Sequence, residues 1–393
     1  MTRYSIVGCS LLLGIVACGG DDRSGRALGE SASEGETHAT TGESADGSTS
    51  DDGESADGDS SEGGDDETGD GSGLCTQANV DIVLEPPTPQ VMVLLDKSNS
   101  MNAQWDHDAD PSTPNVPRWT SLYHVVEHLL MQFEHTTEFG SLLFPAADAW
   151  LDEPTNAWSC LVSDQPEVAV GAANAQAILD SIPPATGFSI SGGTPAVAAF
   201  RTALDHLMAL PNEQPKAIVL VTDGAANCSE EEAPGDTLFA YDARLPQIVE
   251  DAYTQQQIPT YVVGIDIRDF MGSKPAVNTH HSLSEVALAG GVPRQGGDPY
   301  YNSVNQIELT DALDTVLHQI ECTVKLPEAP EHPDELRVDV DGNPVPQLAN
   351  CSEGDGWAWS NPNGPHTHLE LCGFACDALQ DVGAVGVHYG CPD

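Results

Sequence analysis

The stretch that decides the fold is Val91-Met92-Val93-Leu94-Leu95-Asp96-Lys97-Ser98-Asn99-Ser100, in which a continuous apolar run turns at once into a polar loop. Five apolar residues without polar alternation predict a strand that is buried on both faces, as in the interior of a parallel sheet. Largely apolar segments at residues 139–144, 217–221 and 260–265, and a more polar one near 160–169, are further strand candidates. These segments predict the strands of one sheet.

Segments with helical periodicity stand between the predicted strands. Their apolar residues recur every three or four positions, as on the buried face of a helix. The helices predicted in this way lie at 122–133, 172–182, 195–207, 245–256 and 309–320. Because strands and helices alternate, the sequence predicts an α/β fold over residues 75–325, with a doubly wound, mostly parallel, Rossmann-like sheet.

Three polar segments flank these elements. Asp96-Lys97-Ser98-Asn99-Ser100 and Thr222-Asp223-Gly224 each follow a predicted strand, and Ser191-Gly192-Gly193-Thr194-Pro195 precedes a helix. Thr194 is predicted to cap that helix, with Pro195 at its first position. Ligand sites in such sheets collect at the carboxyl ends of the strands, so we expect the three segments to converge there.

Hydroxyl and carboxylate oxygens are the metal-binding groups that these segments offer, since they contain no cysteine or histidine. A hard cation such as Mg²⁺ takes six oxygen ligands and keeps several waters, which suits hydroxyls combined with carboxylates that act through water. Softer ions would need sulfur or nitrogen ligands. The segments therefore favour Mg²⁺, with Mn²⁺ or Ca²⁺ as alternatives.

These residues resemble the metal-ion-dependent adhesion site of the von Willebrand factor A (vWA) family. Asp96, Ser98 and Ser100 match its Asp-x-Ser-x-Ser motif, whereas Thr194 and Asp223 match its later Thr and Asp. The resemblance implies that Ser98 and Ser100 bind the metal directly and that Asp96 and Asp223 act through water. It implies that Thr194 binds directly or through water, depending on conformational state. It also implies an open sixth position for an Asp or Glu of a protein partner.

The first 18 residues, MTRYSIVGCSLLLGIVAC, combine an early positive charge with an apolar core too short to span a membrane as a helix. Ile15-Val16-Ala17-Cys18 resembles a bacterial lipobox, which implies removal of a signal peptide at 1–17 and lipidation of Cys18. We therefore expect a lipid-anchored protein of the bacterial cell envelope, at the outer membrane or cell surface. The alternative is an ordinary secretory signal peptide with a chance cysteine.

Residues 18–74 are rich in Gly, Ser, Asp and Glu and contain 17 acidic and 2 basic residues. Such a segment cannot bury enough apolar surface to offset the entropy lost on ordering the chain. Like charges also repel one another and extend it. The composition therefore predicts a disordered acidic tether.

Residues 334–393 lack helical periodicity, and a linker at 327–333 precedes them. Alternating residues at 336–340 lead into Asp341-Gly342, which predicts a hairpin. Further short strands are expected near 368–371 and 385–388. With four cysteines in about 60 residues, the segment is predicted to be a small disulfide-rich β module.

Eight cysteines remain when Cys9 leaves with the leader and Cys18 carries lipid: Cys75, Cys160, Cys228, Cys322, Cys351, Cys372, Cys376 and Cys391. An even count in an exported chain favours disulfides. Cys75 is expected to pair with Cys322, because they flank the first strand and last helix of the α/β domain. Cys160, at the start of an antiparallel edge strand, is expected to pair with Cys228. The other four are expected to pair within 351–391, and a zinc pair at Cys372-x-x-x-Cys376 is the weaker alternative.

Two further groups of residues stand out. Trp357 and Trp359 alternate and so share one face of an extended stretch, where they are predicted to form the core of the module, with ligand stacking as the alternative. His280 and His281 are predicted to lie in a polar loop.

The charge balance and the motifs limit the function. With 13 Lys and Arg against 62 Asp and Glu, the formal charge is −49, which argues against nucleic acid and against docking on an anionic membrane except through a lipid anchor. The sequence has no nucleophile elbow, no His-Glu-x-x-His and no cofactor fingerprint, so we do not expect an enzyme. The leading hypothesis is a metal-dependent protein-binding or adhesion module. The alternative is a structural cell-envelope protein whose ion only stabilises the fold.

Overall fold

The computed structural model describes residues 80–84, 88–152, 156–211, 214–233 and 235–389. Our predictions for the leader 1–17, for Cys18 and for the tether 18–74 fall outside these ranges, as do Cys75 and Cys391.

The strands of the described residues are Val80–Leu84 (β1), Gln90–Asp96 (β2), Gln104–Trp105 (β3), Val116–Pro117 (β4), Glu138–Phe144 (β5), Val168–Gly171 (β6), Lys216–Thr222 (β7), Thr260–Ile265 (β8), Tyr301–Ser303 (β9), Thr323–Lys325 (β10), Arg337–Val340 (β11), Asn343–Val345 (β12), Gly356–Trp359 (β13), His368–Cys372 (β14) and Val385–Tyr389 (β15). The α-helices are Arg118–Phe133 (α1), Ala175–Ser181 (α2), Ala196–Ala209 (α3), Leu245–Gln256 (α4), Thr279–Ala289 (α5), Gln306–Glu321 (α6) and Phe374–Val382 (α7). None of these helices is long and apolar enough to cross a membrane.

Six strands form the main sheet in the order β6-β5-β2-β7-β8-β9. All neighbours pair in parallel except β6, which is an antiparallel edge strand. The central strands β2 and β7 therefore end at the same edge of the sheet, and the loops that follow them start side by side.

Side chains of β2 alternate between two apolar cores. Val91, Val93 and Leu95 pack with α1, α2 and α6, whereas Met92 and Leu94 pack with α3, α4 and α5. Because helices cover both faces, every residue of β2 is buried, which explains its unbroken apolar run. The predicted α/β fold, with a mostly parallel sheet between two layers of helices, is confirmed.

Some predicted elements are wrong in detail. His280 and His281 lie in the first turn of α5, where Asn278 accepts a hydrogen bond from the backbone N–H of His281, rather than in a loop. This helix has a short apolar stripe, since its buried residues are Ser282, Leu283, Val286 and Ala287. Pro195 rather than Thr194 occupies the N-cap of α3, and no side chain caps that helix. Cys160 lies in a turn well before the edge strand β6.

The C-terminal strands form two small sheets, in the orders β1-β15-β11-β12 and β10-β14-β13. The predicted hairpin is present, because Asp341 and Gly342 adopt φ values of 54° and 70° between β11 and β12. Trp357 and Trp359 are buried in the apolar core of this unit, as predicted. We call β1, β10–β15 and α7 the C-terminal module. It includes β1 and β10, which lie within the range 75–325 predicted for the α/β domain but were not predicted as strands, and α7, which the sequence did not predict.

Three disulfides join described cysteines: Cys160–Cys228, Cys322–Cys376 and Cys351–Cys372. The first was predicted and is confirmed. The predicted Cys75–Cys322 bridge is wrong, because Cys322 follows α6 directly and bonds to Cys376 of the module helix. For the same reason Cys376 does not pair within 351–391 as predicted, whereas Cys351 and Cys372 do. The zinc alternative fails too, since Cys372 and Cys376 are both bonded to other cysteines.

Candidate functional site

The residues singled out by the sequence gather at the carboxyl edge of the parallel sheet. We call this set the carboxylate–hydroxyl site; it consists of Asp96, Ser98, Ser100, Thr194 and Asp223. Asp96 ends β2, and Asp223 directly follows β7, the neighbouring strand. All of them are buried except Ser100, which is exposed.

Short hydrogen bonds connect the first and third segments. Ser98 Oγ and Ser100 Oγ lie 2.8 Å apart, and Ser100 Oγ donates to Asp223 Oδ1 at 2.7 Å. The carboxylate of Asp96 accepts from the backbone N–H of Ser98 at 2.7 Å and from Thr222 Oγ1 at 2.6 Å. The two serine hydroxyls therefore extend in a chain towards Asp223, and the Asp96 carboxylate is fixed at both oxygens.

The second segment is tied to the other two by its backbone. Thr194 donates its N–H to Asn227 Oδ1 at 2.7 Å, and Asn227 donates its N–H back to the carbonyl of Thr194 at 2.9 Å. Gly192 accepts a hydrogen bond from the N–H of Asn99 at 3.0 Å. A β-carbon placed on Gly224 would lie 3.7 Å from Thr194 Oγ1, so this hydroxyl stands next to the Asp223-Gly224 turn.

The loop before α3 lies so close to Asn227 and Cys228 that position 193 requires glycine. A β-carbon there would lie 2.7 Å from Cys228 Sγ and 2.9 Å from Asn227 Oδ1. The N–H of Gly193 also donates to the carbonyl of Ser159 at 2.8 Å. The Cys160–Cys228 disulfide thus joins the two loops that flank Thr194.

Both carboxyl groups of the site have pKa values above their ordinary range. Burial, and next the charge of Asp223, raise the pKa of Asp96 to about 7. Burial also raises the pKa of Asp223, although Arg118 opposes this. Ionising Asp96 in this buried position is unfavourable, and a bound cation would offset that cost.

The sequence reasoning missed Arg118, which stands at the start of α1. Its Nη1 donates to Asp223 Oδ2 at 2.7 Å, and its Nη2 donates to Asp266 Oδ2. The oxygen of Asp223 that Arg118 holds is the one that does not face Ser100. The sequence marks Arg118 only by the rarity of its charge, since the chain has 13 Lys and Arg residues in total.

The donor set suits a hard cation. Its side-chain groups are three hydroxyls and two carboxylates, and these are the oxygen ligands that Mg²⁺ and Mn²⁺ accept. Among the described residues there is no group of three or more His, Cys, Asp or Glu that could hold a metal ion, so a site richer in charge or in soft ligands is absent from that part of the chain.

Comparisons with known proteins leave the family open. No protein-family model matches the chain, and no curated protein matches it. Similar solved structures exist: the pilus adhesin SpaC from Lactobacillus rhamnosus GG has 14% identity and a TM-score of 0.42, and the match covers 79% of this chain and 40% of SpaC. The PilB minor pilin from Streptococcus sanguinis has 15% identity and a TM-score of 0.37, covering 58% of this chain and 60% of that one.

A third match is the manganese-loaded TRAP protein of Plasmodium vivax, with 14% identity and a TM-score of 0.36, covering 60% of this chain and 76% of that one. The chain spans well under half the length of SpaC and about three-fifths of PilB. At these identities and TM-scores, none of the three assigns a function to the chain.

Proposed function

We propose that this chain is a vWA-like binding module of the bacterial cell surface, in which Mg²⁺ held by the carboxylate–hydroxyl site joins an acidic group of a protein partner. Mn²⁺ or Ca²⁺ would serve as substitutes. The observation that carries the proposal is the chain of hydroxyls from Ser98 through Ser100 to Asp223, next to the buried carboxylate of Asp96.

The ligand chemistry explains why the partner would offer a carboxylate. Ser98, Ser100 and Thr194 are neutral, so an ion that they bind directly keeps much of its positive charge. The Asp96 and Asp223 carboxylates would act through water and neutralise it less completely than direct ligands. An incoming Asp or Glu would therefore meet a poorly screened cation beside the exposed Ser100.

The proposed location rests on the cysteines and on the leader. Disulfides persist in oxidising compartments outside the cytoplasm, and six described cysteines are bonded in three pairs. The lipobox-like Ile15-Val16-Ala17-Cys18 supports anchoring through lipid on Cys18. Mass spectrometry of the mature N-terminus tests the anchor: we expect a lipidated Cys18, and an unmodified start further along the chain would contradict it.

Metal binding is tested with the chain from residue 19 onwards, by calorimetric titration with Mg²⁺ and Mn²⁺. Ser98→Ala and Thr194→Ala should each weaken binding at least about 10-fold, because each removes an oxygen ligand. Ser112→Ala, in an exposed loop, is the matched control and should bind as the parent does. Unchanged metal binding in both site variants would refute the site.

Partner binding is tested by pull-down of extracted cell-surface proteins in Mg²⁺ and in EDTA. We expect EDTA to abolish capture, Mg²⁺ to restore it, and Asp96→Ala to remove it while circular dichroism shows an intact fold. Asp164→Ala, an exposed carboxylate elsewhere, should leave capture unchanged. Full capture in EDTA would discard the metal bridge, and unfolding of Asp96→Ala would favour the structural alternative.

A further inference from the structure

Two exposed tryptophans lie in the loop that follows β5. The rings of Trp150 and Trp158 stack with centroids 4.4 Å apart and planes 12° from parallel, yet the two residues are 48% and 47% exposed. The other tryptophans of the chain are buried. Leu151 is exposed as well, and we call these three residues the tryptophan patch. Exposed aromatic groups of this kind are typical of surfaces that bind a partner.

Hydrogen bonds hold the backbone of the tryptophan patch in place. Asp152 Oδ1 accepts from the backbone N–H of Trp158 at 3.0 Å and from that of Ser159 at 2.8 Å. Asp152 in turn donates its own N–H to Ser159 Oγ at 3.0 Å. The two ends of the loop are thus joined beside the stacked rings. A partner that contacts these rings therefore has little chain entropy to remove from them.

The tryptophan patch borders the carboxylate–hydroxyl site. The carbonyl of Ser159 accepts a hydrogen bond from the N–H of Gly193 at 2.8 Å. Ser159 adjoins Trp158, and Gly193 adjoins Thr194, so the α-carbons of Trp158 and Thr194 lie within about 15 Å of each other. The loop that carries the patch follows β5, the neighbour of β2 in the sheet.

Exposed apolar side chains also lie on the other side of the site, in the loop that follows β8. Phe270 and Met271 are 61% and 69% exposed, and we call them the phenylalanine patch. Asp266 begins this loop, and Arg118 links it to Asp223 by donating to both carboxylates. The strand order is β5-β2-β7-β8, and the site lies at the ends of β2 and β7. The two patches therefore flank the site.

We propose that the partner presents its carboxylate on an extended segment with apolar side chains on both sides, which contact the tryptophan patch and the phenylalanine patch. This inference rests on the metal-dependent function proposed above. Strands β5 and β8 are three strand spacings apart, or about 14 Å, a distance that about four to six residues of extended chain span. The apolar residues of the partner therefore lie within about four positions of the metal-bound Asp or Glu.

A protein segment fits this surface better than a lipid bilayer or a glycan does. The formal charge of −49 opposes approach to an anionic membrane. A neutral glycan would stack on the tryptophan rings but supplies no carboxylate for the metal. A protein segment supplies both groups: the carboxylate gives specificity for the metal site, and the apolar side chains add buried area on either side.

The experiment selects peptides that bind the chain from residue 19 onwards. A phage library displays peptides in which a fixed Asp has about six random positions on either side, enough to reach both patches. The phage bind in Mg²⁺, and EDTA then releases those whose binding needs the metal. We expect the released peptides to be enriched in aromatic and large aliphatic residues within about four positions of the Asp, on both sides.

Variants at the two patches test the contacts with the strongest released peptide. Trp150→Ala and Phe270→Ala should each weaken its binding at least about 10-fold, while the Mg²⁺ affinity measured by calorimetry without peptide stays unchanged. The matched controls are Met131→Ala on α1 and Phe374→Ala on α7, whose side chains are also exposed but belong to neither patch. Both controls should bind the peptide as the parent does.

The outcomes separate this inference from the proposed function. If the chain binds Mg²⁺ but the released peptides show no apolar enrichment, if no peptide is released, or if neither patch variant weakens binding, the inference is wrong and the metal site stands. Absence of Mg²⁺ binding refutes the proposed function and this inference with it. Binding to phosphatidylcholine vesicles or to maltohexaose in EDTA, abolished by Trp150→Ala, would overturn the inference by assigning the tryptophan patch to a lipid or a glycan.

Discussion

Asp96 has no exposed surface, its carboxylate accepts two short hydrogen bonds, and the negative charge of Asp223 opposes its ionisation. The folded pKa of about 7 lies well above the ordinary 3.8 of the unfolded chain. The folded state therefore binds this proton more tightly than the unfolded state does. The resulting contribution lowers the free energy of unfolding as the pH rises from about 4 to about 7, and the loss persists above pH 7.

Asp96→Asn should consequently stabilise the metal-free protein at pH 8 by roughly 1–4 kcal/mol and much less at pH 5, since the amide carries no charge to desolvate. Thr222 Oγ1 can accept from the new amide and donate to the carbonyl of Gly224. Thermal unfolding in EDTA at both pH values measures the effect, with Asp164→Asn as the control. A lower melting temperature at pH 8 would contradict it. In saturating Mg²⁺ the order should reverse, because only the parent gains binding energy.

Arg118 supplies the positive charge nearest to Asp223, so it competes with a bound cation. Arg118→Gln should destabilise the metal-free protein and tighten Mg²⁺ binding roughly 10-fold, because Asp223 then lacks that countercharge. Arg268→Gln is the matched control, since Arg268 also pairs with Asp266 but has a side chain that is 70% exposed. Calorimetric titration of the parent and the two variants measures their Mg²⁺ affinities. Weaker Mg²⁺ binding in Arg118→Gln would show that the guanidinium positions Asp223 rather than competes with the cation.

At the scale of elements, the site depends on three loops that different parts of the chain supply. The loop after β2 provides the serines, the loop before α3 provides Thr194, and the loop after β7 provides Asp223 and Asn227. The Cys160–Cys228 disulfide fastens the last of these to the turn at 157–160, whose Ser159 holds Gly193. The geometry of Thr194 therefore depends on a covalent bond outside the site.

Replacing both Cys160 and Cys228 with Ser should destabilise the protein by about 2–4 kcal/mol and also weaken Mg²⁺ binding, because the loops around Thr194 lose their tie. Replacing Cys351 and Cys372 with Ser is the control: it should lower stability without changing the Mg²⁺ affinity, since that bridge lies within the C-terminal module. Chemical denaturation and calorimetry separate the two effects. Equal Mg²⁺ affinity in both double variants would show that the loops hold their geometry unaided.

The parallel strands and the site could be predicted because their signals are local. The apolar run of β2 reflects burial on both faces, and the motif residues follow strands that end at a common edge. The pairing of β1 with β15 could not be predicted, since it joins segments some 300 residues apart and neither carries a sign of its partner. Arg118 was missed for the same reason, because its partners Asp223 and Asp266 come from distant loops.

At the scale of the whole molecule, the C-terminal module contains strands that precede the six-stranded sheet along the chain as well as strands that follow it. Strand β1, which precedes the sheet, pairs antiparallel with β15 over five residues, and β10, which follows α6, pairs with β14. The Cys322–Cys376 disulfide adds a covalent link at the end of α6. The module therefore contains chain segments from before and after the sheet domain, and strand pairing and a disulfide connect these segments to the C-terminal residues.

This topology predicts that a chain beginning at residue 85 is less stable than one beginning at residue 75. Removal of β1 leaves β15 as an unpaired edge and withdraws Ile82 and Leu84, which pack against the module core. Losing these partly buried side chains should cost about 2 kcal/mol, which lowers the melting temperature by roughly 4–8 °C. The chain from residue 75 should have the same melting temperature as the chain from residue 19, because the acidic segment 19–74 lacks the apolar residues to add to a core. Thermal unfolding, with limited proteolysis to locate the loosened region, compares the three. Cleavage should appear first within the module strands β11–β15 of the shortest chain; equal melting temperatures and identical cleavage patterns would show that the module holds together without β1.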